Sequence, residues 1–237
     1  MAMARAPLLV TLAALASLRS ALAVRQSQAI AEGARRGVLS VAEASGTPQL
    51  MSDGDADADK LAADLSAQVR AQGAVHIVIV GPDGAFAAMK AVSAVAQAMS
   101  SELALKGMVL AAFPSRHTHT IESGKKINTV IVEVRPQQAS LVPQVVDVTV
   151  AAGTKVGSLG SYLAKVFQDS GGAVLAAIGP VAVMKALNSA AFASRFLAND
   201  LKVNEAKLAC SPAFSEVAGE QGGIVERMAL TCAPAPN

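Results

Sequence analysis

Two lysines occupy matching settings in this chain, and the setting is that of an anion site. Lys90 follows the turn sequence Gly81-Pro82-Asp83-Gly84, and Lys185 follows Gly179-Pro180. A lysine just past a glycine turn, near the start of a predicted helix, lies where free N–H groups and the helix dipole favour anions. Its ammonium would hold a phosphate as a point charge. The plainer alternative is a solvated lysine on a helix whose other face is buried. Asp83 opposes a phosphate at the first turn and has no counterpart at the second.

A second group of cations is Arg116, His117, His119, Lys125 and Lys126, with Glu122 as the acid among them. These residues fall in a polar stretch between two predicted strands, 108–113 and 128–134. As a phosphate-contacting arm this stretch would add affinity without base specificity; an ordinary solvated hairpin is the alternative. The corresponding stretch near the C-terminus carries Glu216 and Glu220, so a polyanion should favour the first stretch.

Other chemistry is weakly signalled. His117-Thr118-His119 puts two imidazoles on one face of a strand, but nothing adjacent completes a metal site. Asp53, Asp55, Asp57 and Asp59 lack the pattern of a calcium loop and read as a solvated helix start. Gly81 to Gly84 follows a predicted strand, so it is neither the inter-helix clamp of KH domains nor a dinucleotide fingerprint. No serine, cysteine or carboxylate stands in a catalytic motif with the three histidines. Six Phe, one Tyr and no Trp leave no stacking platform for single strands. No enzyme activity, metal or cofactor is expected. Cys210 and Cys232, the only cysteines, lie symmetrically about a glycine-rich turn at residue 221. In a regular hairpin they would face each other, as a disulfide or as two buried thiols.

The elements that hold these residues come in two rounds. Gly81-Pro82 recurs as Gly179-Pro180, Met89-Lys90-Ala91 as Met184-Lys185-Ala186, and Pro114 as Pro212, at offsets of 98, 95 and 98. Leu61, Leu65 and Gly73 match Leu159, Leu163 and Gly171 at 98. A repeat of this length implies a duplicated supersecondary unit, spanning 47–136 and 145–235 with a polar link at 137–144. In the first unit Leu61, Leu65 and Val69 mark one helix face. The β-branched run 75–80 marks a buried strand, and a helix is predicted from 85 to about 100. In the second unit a strand at 146–150 precedes helix 158–169, strand 173–178, helix 181–197 and strands 206–210 and 224–232. The order is β-α-β-α-β-β, with a faint opening strand at 48–52 in the first unit.

Ahead of the units, Arg5, an apolar run from Ala6 to Leu18 and Ala21-Leu22-Ala23 form the pattern of a cleaved export signal over residues 1–23. Residues 24–46 are a linker or a second targeting segment, such as the plastid part of a two-step address. Loss of Arg5 and Arg19 turns 20 basic residues into 18, against 18 acids, so net charge alone does not attract a polyanion. No other apolar run is long enough to span a membrane.

Ala177-Ile178-Gly179, Met184-Lys185-Ala186 and Pro212-Ala213-Phe214 resemble the stage V sporulation protein S family of the Alba-like superfamily. Val80-Gly81, Ala88-Met89-Lys90-Ala91, Phe113-Pro114 and Ile131-Val132-Glu133 repeat the resemblance in the first unit. The resemblance implies an α+β fold of two tandem Alba-like units packed as a pseudo-dimer, self-association, and DNA or RNA as partner. With such a partner, Lys90, Lys185, Arg116, Lys125 and Lys126 are the expected contacts. The family's Asn-Gln pair before the lysine is absent: the first unit has Phe86-Ala87, and the second is three residues shorter there. An exported structural or protein-interaction module that has lost nucleic-acid binding is the rival reading.

Overall fold

The computed structural model describes residues 47–120, 126–139, 145–200, 207–219 and 222–235. The expected export signal (1–23), the segment 24–46, Lys125 and Glu122 lie outside them. Thirteen elements follow in order: β1 (Gln49–Ser52), α1 (Ala58–Gln72), β2 (Val75–Ile79), α2 (Gly81–Ala98), α3 (Ser100–Ala104), β3 (Met108–Thr120) and β4 (Lys126–Gln138). Then come β5 (Val146–Val150), α4 (Val156–Asp169), β6 (Ala173–Ile178), α5 (Pro180–Asp200), β7 (Leu208–Ala218) and β8 (Ile224–Pro234). The chain is α+β, and apart from the short α3 both halves run β-α-β-α-β-β.

Local chemistry sets the boundaries. The Asp57 carboxylate caps α1 by accepting from the N–H groups of Asp59 at 2.9 Å and Lys60 at 3.3 Å, which satisfies donors that have no partner within the helix. Part of the acidic stretch is thus a helix start, as expected. Gly73 ends α1 at φ 79°, a conformation that costs other residues a steric penalty. Leu61, Leu65 and Val69 are buried on one face. In α4, Leu159, Leu163, Val166 and Phe167 are buried likewise.

The eight strands form one sheet in the order β1-β2-β4-β3-β7-β8-β6-β5. Within each half the opening pair is parallel (β1 with β2, β5 with β6) and the rest antiparallel. The halves meet at an antiparallel β3–β7 contact that consists of one bridge, Ala112 opposite Cys210. These residues are 98 apart, the offset of the sequence matches, so the junction joins like to like, as in an isologous interface. Two residues beyond the bridge in each direction stand Pro114 and Pro212. A proline has no N–H to donate, so each stops the ladder from lengthening. Beside Pro212, the Ser211 hydroxyl donates to the Leu110 carbonyl at 3.4 Å.

Alternation splits the strands between two faces. Val75, Ile77 and Ile79 of β2, Val130, Val132 and Val134 of β4, Leu175 of β6 and Leu230 of β8 point into one core with the helices, drawn from both halves. The helices cross the junction: α2 packs on β7, α5 on β3, and α2 on α5. Phe86 of α2 meets Phe214 of β7 edge-to-face, with ring centroids 5.5 Å apart. Two glycines allow close approach. A Cβ on Gly84 would strike the Ser52 carbonyl, and one on Gly160 would strike the Phe192 ring. The Ser52 hydroxyl, fully buried, donates to the Gly84 carbonyl at 2.8 Å.

Three expectations need correction. The helix expected from 85 begins at Gly81, because Pro82 falls in its first turn, where a missing N–H costs nothing. The strands expected at 108–113 and 128–134 each run to thirteen residues, and those at 206–210 and 224–232 to eleven. The outer residues of β3 and β4, 115–120 and 126–129, are polar at all but Ile127, so they carry no alternation of apolar residues. The link expected at 137–144 starts later, since Gln137 and Gln138 belong to β4.

Candidate nucleic-acid interface

Two hairpin arms project from the sheet. β2 accompanies β4 only as far as Val130, opposite Ile79. Arg116 stands opposite Val130 at that point, and β3 and β4 continue alone beyond it, with His117 opposite Thr129, His119 opposite Ile127 and Thr120 opposite Lys126. The cationic residues expected in a loop therefore sit on a ribbon, whose hydrogen-bonded register fixes their spacing. Arg116 is exposed and has no ion pair or hydrogen bond among the described residues. His119 and Lys126 are located by their backbone, and Lys125 lies outside the described residues.

The second arm is built alike and charged oppositely. β6 leaves β8 at Arg227, opposite Ile178, and the ribbon beyond holds Glu216 directly opposite Glu226. Like charges facing each other across a ladder are unfavourable. Lys90 relieves the pair: its Nζ donates to both Glu226 carboxylate oxygens, at 2.9 and 3.0 Å, and lies 5.7 Å from the Phe86 ring centroid.

Lys90 is thus nine residues into α2, on its third turn and committed to the other half of the molecule. The helix-start argument for it fails, because the glycine turn lies inside the helix. Lys185 is on the second turn of α5. Its Nζ donates to the carbonyls of Ala152 and Thr154, tying down the turn between β5 and α4. Both lysines have protein partners that a phosphate would have to replace.

A second ionic group bridges the halves. Glu133 on β4 accepts from Arg135 at 3.0 Å and from Lys207 at 3.1 Å, and the Arg135 guanidinium stacks 4.3 Å from the Phe113 ring centroid. His76 stands beside Glu133 in register. Burial holds its imidazole below the ordinary 6.5; Glu133 acts to raise it and Lys207 to lower it. Its Nδ1 is buried with no hydrogen-bond partner among the described residues, which agrees with a neutral ring. Sequence reasoning missed both inter-half ion pairs. Lys90 and Glu226 are 136 residues apart, and no local pattern links them.

His76, Phe113, Glu133 and Lys207 line a cavity of about 240 Å³ that also takes in Ser115 and His117. Ser115 Oγ lies 3.1 Å from His117 Nε2, a serine–histidine contact that no sequence motif announced. The hydroxyl has one proton and donates it to the Ile131 carbonyl at 3.0 Å, so the imidazole is the donor to Oγ rather than its base. Among the described residues no group of three metal-binding side chains occurs. No described helix is long and apolar enough to cross a membrane. Cys210 and Cys232 lie directly opposite in β7 and β8, with Cα atoms 4.1 Å apart, and are joined as a cross-strand disulfide.

The architecture defines an α+β protein with two charged ribbons on one continuous sheet. Residues 146–231 match the family model Stage V sporulation protein S (SpoVS), from β5 into β8. The first half, with its basic arm, lies outside that match. No curated protein matches the chain.

Proposed function

We propose that this protein binds nucleic acid without catalysing a reaction. In this reading the two halves are duplicated Alba-like units that pair as an internal pseudo-dimer, the first spanning 47–136 and the second 145–235. The observation that carries it is the β3–β4 ribbon, which runs past β2 with Arg116, His117, His119 and Lys126 in a fixed register. A two-stranded ribbon of cations offers its charges at regular spacing to a phosphate backbone. Lys125, next to Lys126 in the sequence, adds a further cation. Lys90 and Lys185 serve as structural ties that stiffen the frame. Residues 1–23 act as a removable export signal, so that the secretory pathway, or a plastid beyond it, receives the chain.

The rival reading is a protein-interaction module, and two observations favour it. Both candidate lysines are occupied, and residues 47–235 hold 15 basic against 16 acidic residues. Titration of residues 24–237 with labelled DNA and RNA at several salt concentrations separates the two. Binding that weakens steeply with salt sustains the nucleic-acid reading. No binding at low salt, or a slope near zero, overturns it in favour of the rival.

A further inference from the structure

The second half opens a groove where β5 and β6 end and the second arm curls over them. Its volume is about 950 Å³, at the upper end of the range of about 300–1,000 Å³ usual for small-molecule sites. Ala176 and Ile178 of β6 form one wall, and Val217 and Val225 of the arm the other. Ile178 is 53% exposed, an uncovered aliphatic side chain at the rim of a concave surface.

Arg227 is the charged residue among the described residues of the lining. It is half-buried and stands opposite Ile178 in register. Among the described residues it makes no ion pair or hydrogen bond. Strand alternation directs Glu216 and Glu226 to the far face of the ribbon, where Lys90 holds Glu226. The nearest described carboxylate on the groove's face of β5 is Asp147, two residues before Thr149. A guanidinium set among aliphatic walls, with no counter-ion among the described residues, is complementary to an anion on an apolar body. In the first half the position 98 residues earlier is Thr129, fully buried, so the cation belongs to the second half.

We propose that this groove binds a small amphipathic anion, an aliphatic carboxylate whose head group pairs with Arg227 and whose chain lies along Ile178 and Val225. The site is independent of the nucleic-acid reading, since it uses the other arm. The test is calorimetric titration of residues 24–237 with decanoate, with decyltrimethylammonium as the cationic control. Decanoate should bind saturably, and the ammonium should not. Arg227→Gln should weaken decanoate binding about tenfold, and Ile178→Glu, at an exposed position, should weaken it as well. Circular dichroism checks that both variants fold. Absence of saturable binding to the unaltered protein, equal binding of the two head groups, or variants that titrate like the parent would overturn the proposal.

Discussion

The two arms share a backbone plan and differ in nearly everything a partner would feel. Each is a β-ribbon that outruns the neighbouring strand of the sheet, and each begins within one residue of the same place relative to its half. The first carries Arg116, His117, His119 and Lys126. The second carries Glu216 and Glu226, with valines on its inner face. Two frames with the same element order constrain the buried side chains, because those must fit a common core. The solvated ribbon faces carry no such constraint, and there the two arms differ in the sign of their charge. The difference also assigns work: the acidic arm receives Lys90 from the other half, whereas the basic arm keeps Arg116 for solvent.

The comparison breaks first if the halves are not one folding unit. Leu65 and Leu163 are equivalent, and both are fully buried in the shared core. Leu65→Ala and Leu163→Ala should each cost about 2–5 kcal/mol, read by denaturant unfolding as a single transition. Two separate transitions, or one half melting alone, would show that the single core does not couple them.

The arms themselves are tested by charge. Arg116→Glu with Lys126→Glu should lower nucleic-acid affinity roughly a hundredfold at low salt and make the salt slope shallower by about two. Glu216→Gln with Glu226→Gln in the second arm should leave binding roughly unchanged. Equal losses from both pairs in fluorescence anisotropy would erase the assigned difference between the arms.

A smaller effect concerns the glycines, which each half uses in a different place. Gly84→Ala drives a methyl into the Ser52 carbonyl, and Gly160→Ala drives one into the Phe192 ring. Each should destabilise by about 1–3 kcal/mol, with Gly84→Ala the worse because a backbone carbonyl yields less than a side chain. Thermal melts that rank them the other way would locate the tighter contact in the second half.

The smallest effect is on pH dependence. His76 has Val174 as its counterpart, so only the first half titrates at this position. Its folded-state pKa lies below 6.5, so the unfolded chain binds the proton more readily. Stability is then full above 6.5 and falls as pH drops from there through the folded pKa. His76→Val should flatten this part of the stability curve, and an unchanged curve would remove His76 from the account.

Much of the frame could be read from the residues alone. Gly73 and Asp57 fix α1, the run 75–79 fixes a buried strand, and the recurrence at 98 residues predicts two rounds of the same elements. Helix α2 begins before its expected start because Pro82 suits a first turn as well as a loop. The first arm outruns its expected strands because its outer residues are polar on both faces and need no apolar pattern. The candidate site was legible in part: Arg116 and its neighbours were recognised as cations with a common location, though not as a ladder. The roles of Lys90 and Lys185 were not legible, since a lysine's type says nothing about which distant carboxylate or carbonyl it reaches.

By itself the sequence determined the secondary elements and their repeated order, because these follow from periodicity and capping within a dozen residues. Tertiary structure decided how the halves join, and therefore which charges remain available. The single Ala112–Cys210 bridge, bounded by Pro114 and Pro212, sets the crossing that carries α2 onto β7 and Lys90 to Glu226. That pairing spans 136 residues, a separation at which only the folded sheet brings the partners together.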